Sequence, residues 1–357
     1  MRITLVTNLP APYRQPIWDE LAINNQLKVV FLLGNQNWRG WQLNARKKWS
    51  YEFLNLKMWK FRELEVIPWP LGSKRLANNS DVLILSGWHT PIYIFLSFYA
   101  KKRNIKIIQI YESFESNSQF RSRFIKFVKS RILNQADRII TLSSDSAEYI
   151  KQIGVNPNKI VVLFNPIQYE DWMEKIPEKE LNFNRKSFLY VGQLIKRKGI
   201  DQLIKAYDLL EDEEYELDIV GTGAMQSELI NLARQCKKSN KIRFHGSLTG
   251  QKLYEKYASN NIFVLPSSAE VWGLVANEAL SCGLHLVISS NCGASNFVEG
   301  MKGVHVYSGG MDELQRALTK SITDFDHRVV APEILNFDCK KFAHEMEQLL
   351  YKLNLAT

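Results

Sequence analysis

Two glutamates eight residues apart, Glu270 and Glu278, stand in the segment SSAEVWGLVANEALSCG at residues 267–283. An α-helix turns about 100° per residue, so eight steps return to within about 80° of the same face. The segment is not all helix, however. Gly273 follows the loop after the apolar run IFVLPS, and the helix is expected to begin near it. Glu270 then falls in the loop and Glu278 in the first turns. A helix N-terminus offers free N–H groups and the positive end of a dipole, which suit a phosphate. One acid before that terminus and one after it can take hydroxyls on either side of a diphosphate. Taken alone, two glutamates at this spacing are better explained as a solvated helix face, and the surroundings have to decide.

A second segment, YVGQLIKRKGIDQLIKAY at 190–207, runs from a glycine-ended strand through a basic loop into a Lys-Gly helix start. Gly192 permits close backbone approach and Lys198 supplies charge, a combination that suits a diphosphate. A third, IVGTGAMQSEL at 219–229, contributes Gly221 and Gly223 between a strand and a helix. As a dinucleotide fingerprint it is incomplete, because Gln226 stands where the third glycine belongs.

These segments, in this order, resemble family 4 of the retaining glycosyltransferases, of bacterial surface-polysaccharide type, which have the GT-B fold. The resemblance rests on the E-x7-E spacing and its surroundings: Pro266 and Ser267 ending a strand, Gly-Leu-Val after the first acid, Glu278-Ala279, and the turn Cys282-Gly283. The Val-Gly-x-Gly loop and the stretch CGASNFVEGMKG at 292–303 extend it to about 120 residues of the C-terminal half. It implies that Glu270 faces the donor sugar, with Glu270 and Lys198 as catalytic residues, and that Glu278 binds the nucleotide ribose. The backbone at Gly273, Leu274 and Val275 would meet the diphosphate, with Gly192, Gln193, Arg197, Gly221 and Gly223 completing the donor site. The family usually reads Gly-Arg-Leu where this chain has Gly192-Gln193-Leu194, so the missing charge is left to Lys196 or Arg197. The implied reaction retains anomeric configuration and needs no metal or other cofactor. No Asp-x-Asp motif stands in a suitable loop. No general base is evident either, in keeping with a leaving phosphate that helps to deprotonate the acceptor.

The N-terminal half is less specific. TNLPAPYRQPIWDEL at 7–21 looks like the opening of a subset of these enzymes, and Arg14 is a candidate for donor phosphate or acceptor. His89 in the GWH turn and Glu112 in YES are further acceptor-side candidates. Each has an ordinary alternative, as a solvated turn arginine, a polar loop histidine or a carboxylate in a structural hydrogen bond.

The elements that must position these residues alternate. Apolar runs at 3–7, 29–33, 82–86, 105–111, 138–143 and 159–164 are separated by helical patterns, and residues 166–186 read as a connector. The series restarts at SFLYVG (187–192), continues through 216–221, 241–246, 262–267 and 285–290, and closes on a helical stretch at 338–353. Strand–helix alternation predicts parallel sheets with helices on both faces. The expected fold is α/β: two Rossmann-like doubly wound domains in tandem with a cleft between them. Their boundaries are an acceptor-side domain at 1–165, a donor domain at 166–335, and a C-terminal helix at 336–357 returning toward the first domain. Ligands in such sheets bind beyond the carboxyl ends of the strands.

The bulk numbers bound the rest. A chain of 357 residues with 45% hydrophobic and 23% charged residues has room for two cores. No apolar run approaches the ~20 residues needed to span a bilayer, and the opening MRITLVTNLPAP reads as a strand rather than a signal peptide. Four scattered cysteines, Cys236, Cys282, Cys292 and Cys339, fit neither a zinc site nor a disulfide framework. The expected location is cytoplasmic. Residues 1–165 carry 24 Lys and Arg against 11 Asp and Glu, and the remainder 22 against 26. That asymmetry gives the first half an anionic partner, either an acceptor or the inner face of a membrane. The aromatic-basic stretches 37–62 and 118–132 are suited to lie on such a membrane, or equally to pack on their own sheet with the basic residues solvated. No nucleic-acid motif is present. Three rivals remain: a nucleotide-sugar epimerase of the same fold, a non-catalytic sugar-binding protein, and a dehydrogenase. The last lacks the glycine-rich turn after the first strand. The expected partners are therefore a nucleotide-sugar donor, UDP- or GDP-linked, and a glycan or lipid-linked acceptor.

Overall fold

The computed structural model describes residues 1–33, 43, 47–61, 64–68, 72–112, 122–170, 172 and 185–355. The chain divides into two compact units, Met1–Phe164 with Cys339–Thr357, and Asn165–Asp338.

The first unit is built on seven parallel strands: β1 (Arg2–Thr7), β2 (Gln26–Leu33), β3 (Ser50–Leu56), β6 (Val82–Leu85), β7 (Lys106–Tyr111), β8 (Arg138–Thr141) and β9 (Ile160–Val162). A small antiparallel pair, β4 (Trp59–Phe61) and β5 (Leu64–Val66), stands apart. The order across the sheet is β3-β2-β1-β6-β7-β8-β9. The strands are near-continuous apolar runs because helices cover both faces, and residues such as Val29, Leu83 and Ile108 are fully buried. Strand order reverses between β1 and β6, which makes that junction the switch point where crossing loops part and leave a crevice.

The helix Cys339–Leu355 belongs to this unit and packs on the helix Gln15–Asn24. Asn24 and Asn25 donate to the Glu347 carboxylate, and Phe164 meets Phe342 edge-on at 5.7 Å.

The second unit repeats the plan with six parallel strands: β10 (Ser187–Val191), β11 (Glu216–Val220), β12 (Ile242–Phe244), β13 (Ile262–Leu265), β14 (His285–Ser289) and β15 (Val304–Tyr307). Their order is β12-β11-β10-β13-β14-β15, with the switch point between β10 and β13. Two Rossmann-like domains in tandem are thus present. A fully buried carboxylate, Asp218 on β11, ties the edge of this sheet to Arg185 at 2.9 Å and to His245 at 2.7 Å. Burial alone would raise its pKa, but the His245 hydrogen bond and the Arg185 and Lys256 charges hold it far below the carboxylate range.

One expectation needs correcting. The basic residues of the stretch 118–132 were all candidates for a solvated face. In the helix Arg123–Leu133, Lys129 is instead 1% exposed. Its ammonium donates to the hydroxyls of Tyr111 and Tyr149 and lies 4.6 Å from the Trp88 ring centre. Burial, with a smaller contribution from Lys126, lowers its pKa to about 8. Aromatic faces replace water around the cation, which helical spacing alone does not reveal. On the same helix Phe124 and Phe127 are 73% and 61% exposed. Arg123 and Arg131 flank them, the latter lying over the Phe127 ring. Residues 34–42, 44–46 and 113–121 lie outside the described residues, and with them most of the 37–49 stretch and Arg121. Among the described residues no helix is long and apolar enough to cross a membrane.

Candidate functional site

In the second unit the loops that leave β10 and β13 stand side by side at the switch point. The loop after β10 runs through Gly192 and the exposed Gln193 into the short turn Lys196–Lys198. Gly199 then takes the left-handed conformation, φ 68° and ψ 22°, and caps the helix Ile200–Asp208. A side chain there would be strained and would also run into the Pro266 carbonyl, so glycine is required twice over. This tight approach brings the Lys198 loop onto the loop after β13. Ser268 donates its backbone N–H to the Arg197 carbonyl at 2.8 Å.

The consequence is a charge cluster. Lys198 is ion-paired with Glu270, and Arg197 reaches the same carboxylate oxygen at 3.3 Å while also donating to the Ala269 carbonyl. Lys196 points elsewhere and pairs with Asp201 at 2.8 Å. Of the two cations left open by the glutamine at 193, Arg197 is therefore the one that joins Lys198. Glu270 itself is held by backbone bonds on both sides, from its N–H to Asn291 and from Gly293 to its carbonyl. The CGASN loop thus fixes the acid in place.

Past Glu270 the chain reaches Gly273, which caps the helix Leu274–Ser281 at φ 96° and ψ 66°. Leu274 and Val275 form the helix start and are partly exposed, so free N–H groups are presented there. Gly221 and Gly223 lie in the neighbouring loop after β11. That loop is stitched to the β10 loop by Leu194 donating to Thr222 and Met225 donating to Leu194. The donor-side candidates therefore gather at the carboxyl ends of β10, β11 and β13.

Glu278, one turn further along the helix, is only partly exposed and its carboxyl sits deep among protein atoms. Burial raises its pKa to about 7, and the Tyr257 hydroxyl, which donates to Oε2 at 2.7 Å, offsets part of that rise. Sequence reading missed Tyr257 and the neighbouring network of Trp272, Asn277 and Tyr169. Trp272 donates to Asn277 at 2.9 Å, and Asn277 donates to the Asn165 carbonyl and the Tyr169 hydroxyl. Tyr257, from the helix Gln251–Ser259, carried no signal at all in the sequence. Asn277, adjacent to Glu278 inside a matched motif, carried one.

In the first unit the three acceptor-side candidates leave adjacent strands. Arg14 lies in the short helix after β1, His89 after β6 and Glu112 directly after β7. Arg14 and Glu112 form an ion pair, with the guanidinium largely covered. His89 is exposed, its ring 5.7 Å from that of Trp88. Among the described residues no three His, Cys, Asp or Glu side chains gather in a group able to hold a metal ion.

The chain matches the family described as Glycosyl transferases group 1 over residues 173–331, and Glycosyltransferase Family 4 over residues 43–171. An uncharacterized glycosyltransferase of Methanocaldococcus jannaschii is 31% identical over 203 residues, 54% of this chain and 52% of that protein. O-antigen chain mannosyltransferase B of Escherichia coli is 26% identical over 249 residues, 67% of this chain and 65% of that protein. The chain thus spans about half and about two thirds of these two relatives. Among solved structures, Anabaena HepE in complex with UDP aligns with 99% of this chain and 100% of its own, with a TM-score of 0.75 at 17% identity, a likeness of fold. Both units carry a family match, the fold is shared along the whole length, and the E-x7-E segment lies inside the first match; the chain belongs to the GT-B glycosyltransferases of the family 4 type.

Proposed function

We propose that the protein is a retaining hexosyltransferase that moves a sugar from a nucleotide-sugar to a glycan or lipid-linked acceptor. The observation that carries this reading is the convergence of Lys198, Arg197 and Glu270 beside the N-terminus of the helix Leu274–Ser281. Two cations and free helix N–H groups make a diphosphate site, and an acid held in the same place suits the hydroxyls of the sugar. In the transfer, the bond between the anomeric carbon and the diphosphate breaks and the acceptor oxygen bonds to that carbon. The nucleoside diphosphate leaves with the electron pair, and the acceptor proton goes to a leaving phosphate oxygen. Lys198 and the helix N–H groups then stabilise charge that grows only as the bond breaks, which is where stabilisation accelerates a reaction. Glu278 takes the nucleotide ribose. That the Anabaena neighbour is described with UDP supports a uridine nucleotide as one donor class, with guanosine the other.

The acceptor belongs to lipopolysaccharide, O-antigen or capsule synthesis on this reading. The O-antigen mannosyltransferase relative and the basic first unit support it. The loops bearing Arg14, His89 and Glu112 are assigned to the acceptor. No metal or other cofactor takes part. A thermal-shift panel of UDP, GDP, ADP and their sugars, each with and without EDTA, tests the donor class and the independence from metal together. A ligand that binds only the native state raises its stability by about 2.7 kcal/mol at a hundredfold excess over Kd. The expected result is one nucleotide-sugar that stabilises the protein equally in both conditions. No stabilisation by any of them, or stabilisation abolished by EDTA, sinks the reading.

Peripheral attachment to the inner face of the cell membrane is part of the proposal. It is supported by the exposed pair Phe124 and Phe127 between Arg123 and Arg131. Each basic residue near an anionic surface contributes about 1 kcal/mol, weakened by salt. Replacing these four residues with Gln is expected to abolish sedimentation with anionic liposomes at low salt while leaving nucleotide binding unchanged. Wild-type protein that stays in the supernatant at low salt overturns the attachment.

A further inference from the structure

We propose that Tyr257 is a positioning residue for the donor: its hydroxyl holds one carboxylate oxygen of Glu278, leaving the other to accept from the ribose hydroxyls of the nucleotide. The inference rests on the donor-site reading above and adds a residue to it that no sequence motif contains.

The geometry is specific. Tyr257 is fully buried on the helix Gln251–Ser259, with its ring stacked near Phe263 at 5.9 Å and edge-on to Trp172 at 5.2 Å. Its hydroxyl has no freedom to seek another partner and donates to Glu278 Oε2 at 2.7 Å. The other oxygen, Oε1, makes no hydrogen bond among the described residues, and the residue as a whole is only partly exposed. A carboxylate in this state is half satisfied. It is fixed at one oxygen and offers the two lone pairs of the second to the two hydroxyls of a vicinal diol. The helix that carries the tyrosine is itself clamped. Buried Arg328 donates to the carbonyls of Tyr257, Ala258 and Asn260 in its last turn, and to Cys282, which ends the Glu278 helix.

The hydrogen bond also governs charge. Only the ionised carboxylate accepts from both ribose hydroxyls, and burial works against ionisation. Among the described residues the titratable groups that face Glu278 are Tyr257 from one helix, the buried Cys282 thiol from its own, and Arg328 behind the Tyr257 carbonyl. Of these, the tyrosine hydroxyl bonds the carboxylate directly and favours the charged form. Removing the hydroxyl raises the carboxyl pKa further. Nucleotide affinity is therefore lost as pH falls in the wild type, and is lost at higher pH without the hydroxyl.

The test titrates UDP, GDP and ADP into the wild type by calorimetry between pH 6 and pH 9 and carries the tightest binder into Tyr257→Phe and Glu278→Gln. Phenylalanine keeps the packing and deletes only the hydroxyl. The expected result for Tyr257→Phe is a pH midpoint of binding raised by about one unit, hence affinity about tenfold weaker below the midpoint. The two proteins converge toward pH 9. In steady state the variant raises KM for the donor and leaves kcat within about twofold. Glu278→Gln binds weakly with no midpoint in this range. If Glu278→Gln binds weakly but Tyr257→Phe matches the wild type at every pH, the positioning role is overturned. A loss in Tyr257→Phe that is uniform across pH and accompanied by a lowered Tm overturns it too, in favour of simple packing. If Glu278→Gln binds as the wild type does, the donor-site assignment itself fails.

Discussion

Replacing Lys198 with alanine is expected to lower sugar transfer by two to three orders of magnitude, about 3–4 kcal/mol of transition-state stabilisation. The size of the effect follows from where the residue stands. Its ammonium is largely covered, and the left-handed Gly199 behind it fixes the loop against the Pro266 carbonyl. On the proposed reading its charge is thus preorganised and costs little reorganisation as the diphosphate departs. Alanine also strips Glu270 of its main counter-charge and leaves a carboxylate facing an anion. The loss should appear in kcat more than in KM, because the interaction strengthens as charge develops. Arg197→Ala is expected to be milder, since the guanidinium is half exposed and shares the same carboxylate oxygen at 3.3 Å. Lys196→Ala should be close to neutral, because its ammonium is committed to Asp201. Initial rates of the three variants side by side decide the matter, and full activity in Lys198→Ala would end the diphosphate role.

Replacing Arg328 with methionine is expected to destabilise the second unit by about 3–5 kcal/mol, since each buried carbonyl left without a donor costs about 1–3 kcal/mol. The guanidinium is 5% exposed and its partners are carbonyls rather than a carboxylate: Tyr257 at 2.8 Å, Ala258 at 2.5 Å, Asn260, and Cys282 at 3.2 Å. Burial lowers its pKa to about 10, so it stays charged at neutral pH. Those carbonyls lie at the C-terminal ends of two helices, where the backbone lacks acceptors' partners and the dipole is negative. Methionine fills the volume and strands all four oxygens. Arg328→Lys should recover part of the loss, having three donors on a point charge in place of a planar fork. Urea denaturation followed by circular dichroism measures it, and a change below about 1 kcal/mol for methionine would show that water replaces the clamp without cost.

The parts of the candidate donor site legible in the sequence are those carried by the backbone. Gly192, Gly199, Gly221 and Gly273 stand where a strand must hand over to a helix, and the spacing from Glu270 to Glu278 follows from one such handover. The choice between Lys196 and Arg197 was not legible, because neighbouring side chains in a three-residue turn point in different directions and only the position of Asp201 decides. Lys129 is the opposite case. Its helical spacing among other basic residues reads as solvated, yet three aromatic rings from β7, the turn after β6 and the helix Ser144–Gln152 take it into the core. Tyr257 was invisible for the same reason: its partner lies 21 residues away on another helix, and a tyrosine in an amphipathic stretch announces nothing. Alternation of strands and helices revealed the doubly wound architecture, since strands buried on both faces are hydrophobic throughout.

The helix Cys339–Leu355 has a consequence for the order in which the molecule comes into being. Residues 165–338 form the second unit as one uninterrupted stretch of chain. The first unit, although made first, lacks its closing helix until residue 355 has left the ribosome. At about 5–20 residues per second, the second unit can complete its core while the first still waits, for an interval on the order of ten seconds or more. During that interval Asn24 and Asn25 have no Glu347 to bind, and the surface of the helix Gln15–Asn24 destined for the last helix is open to whatever chaperones scan nascent chains.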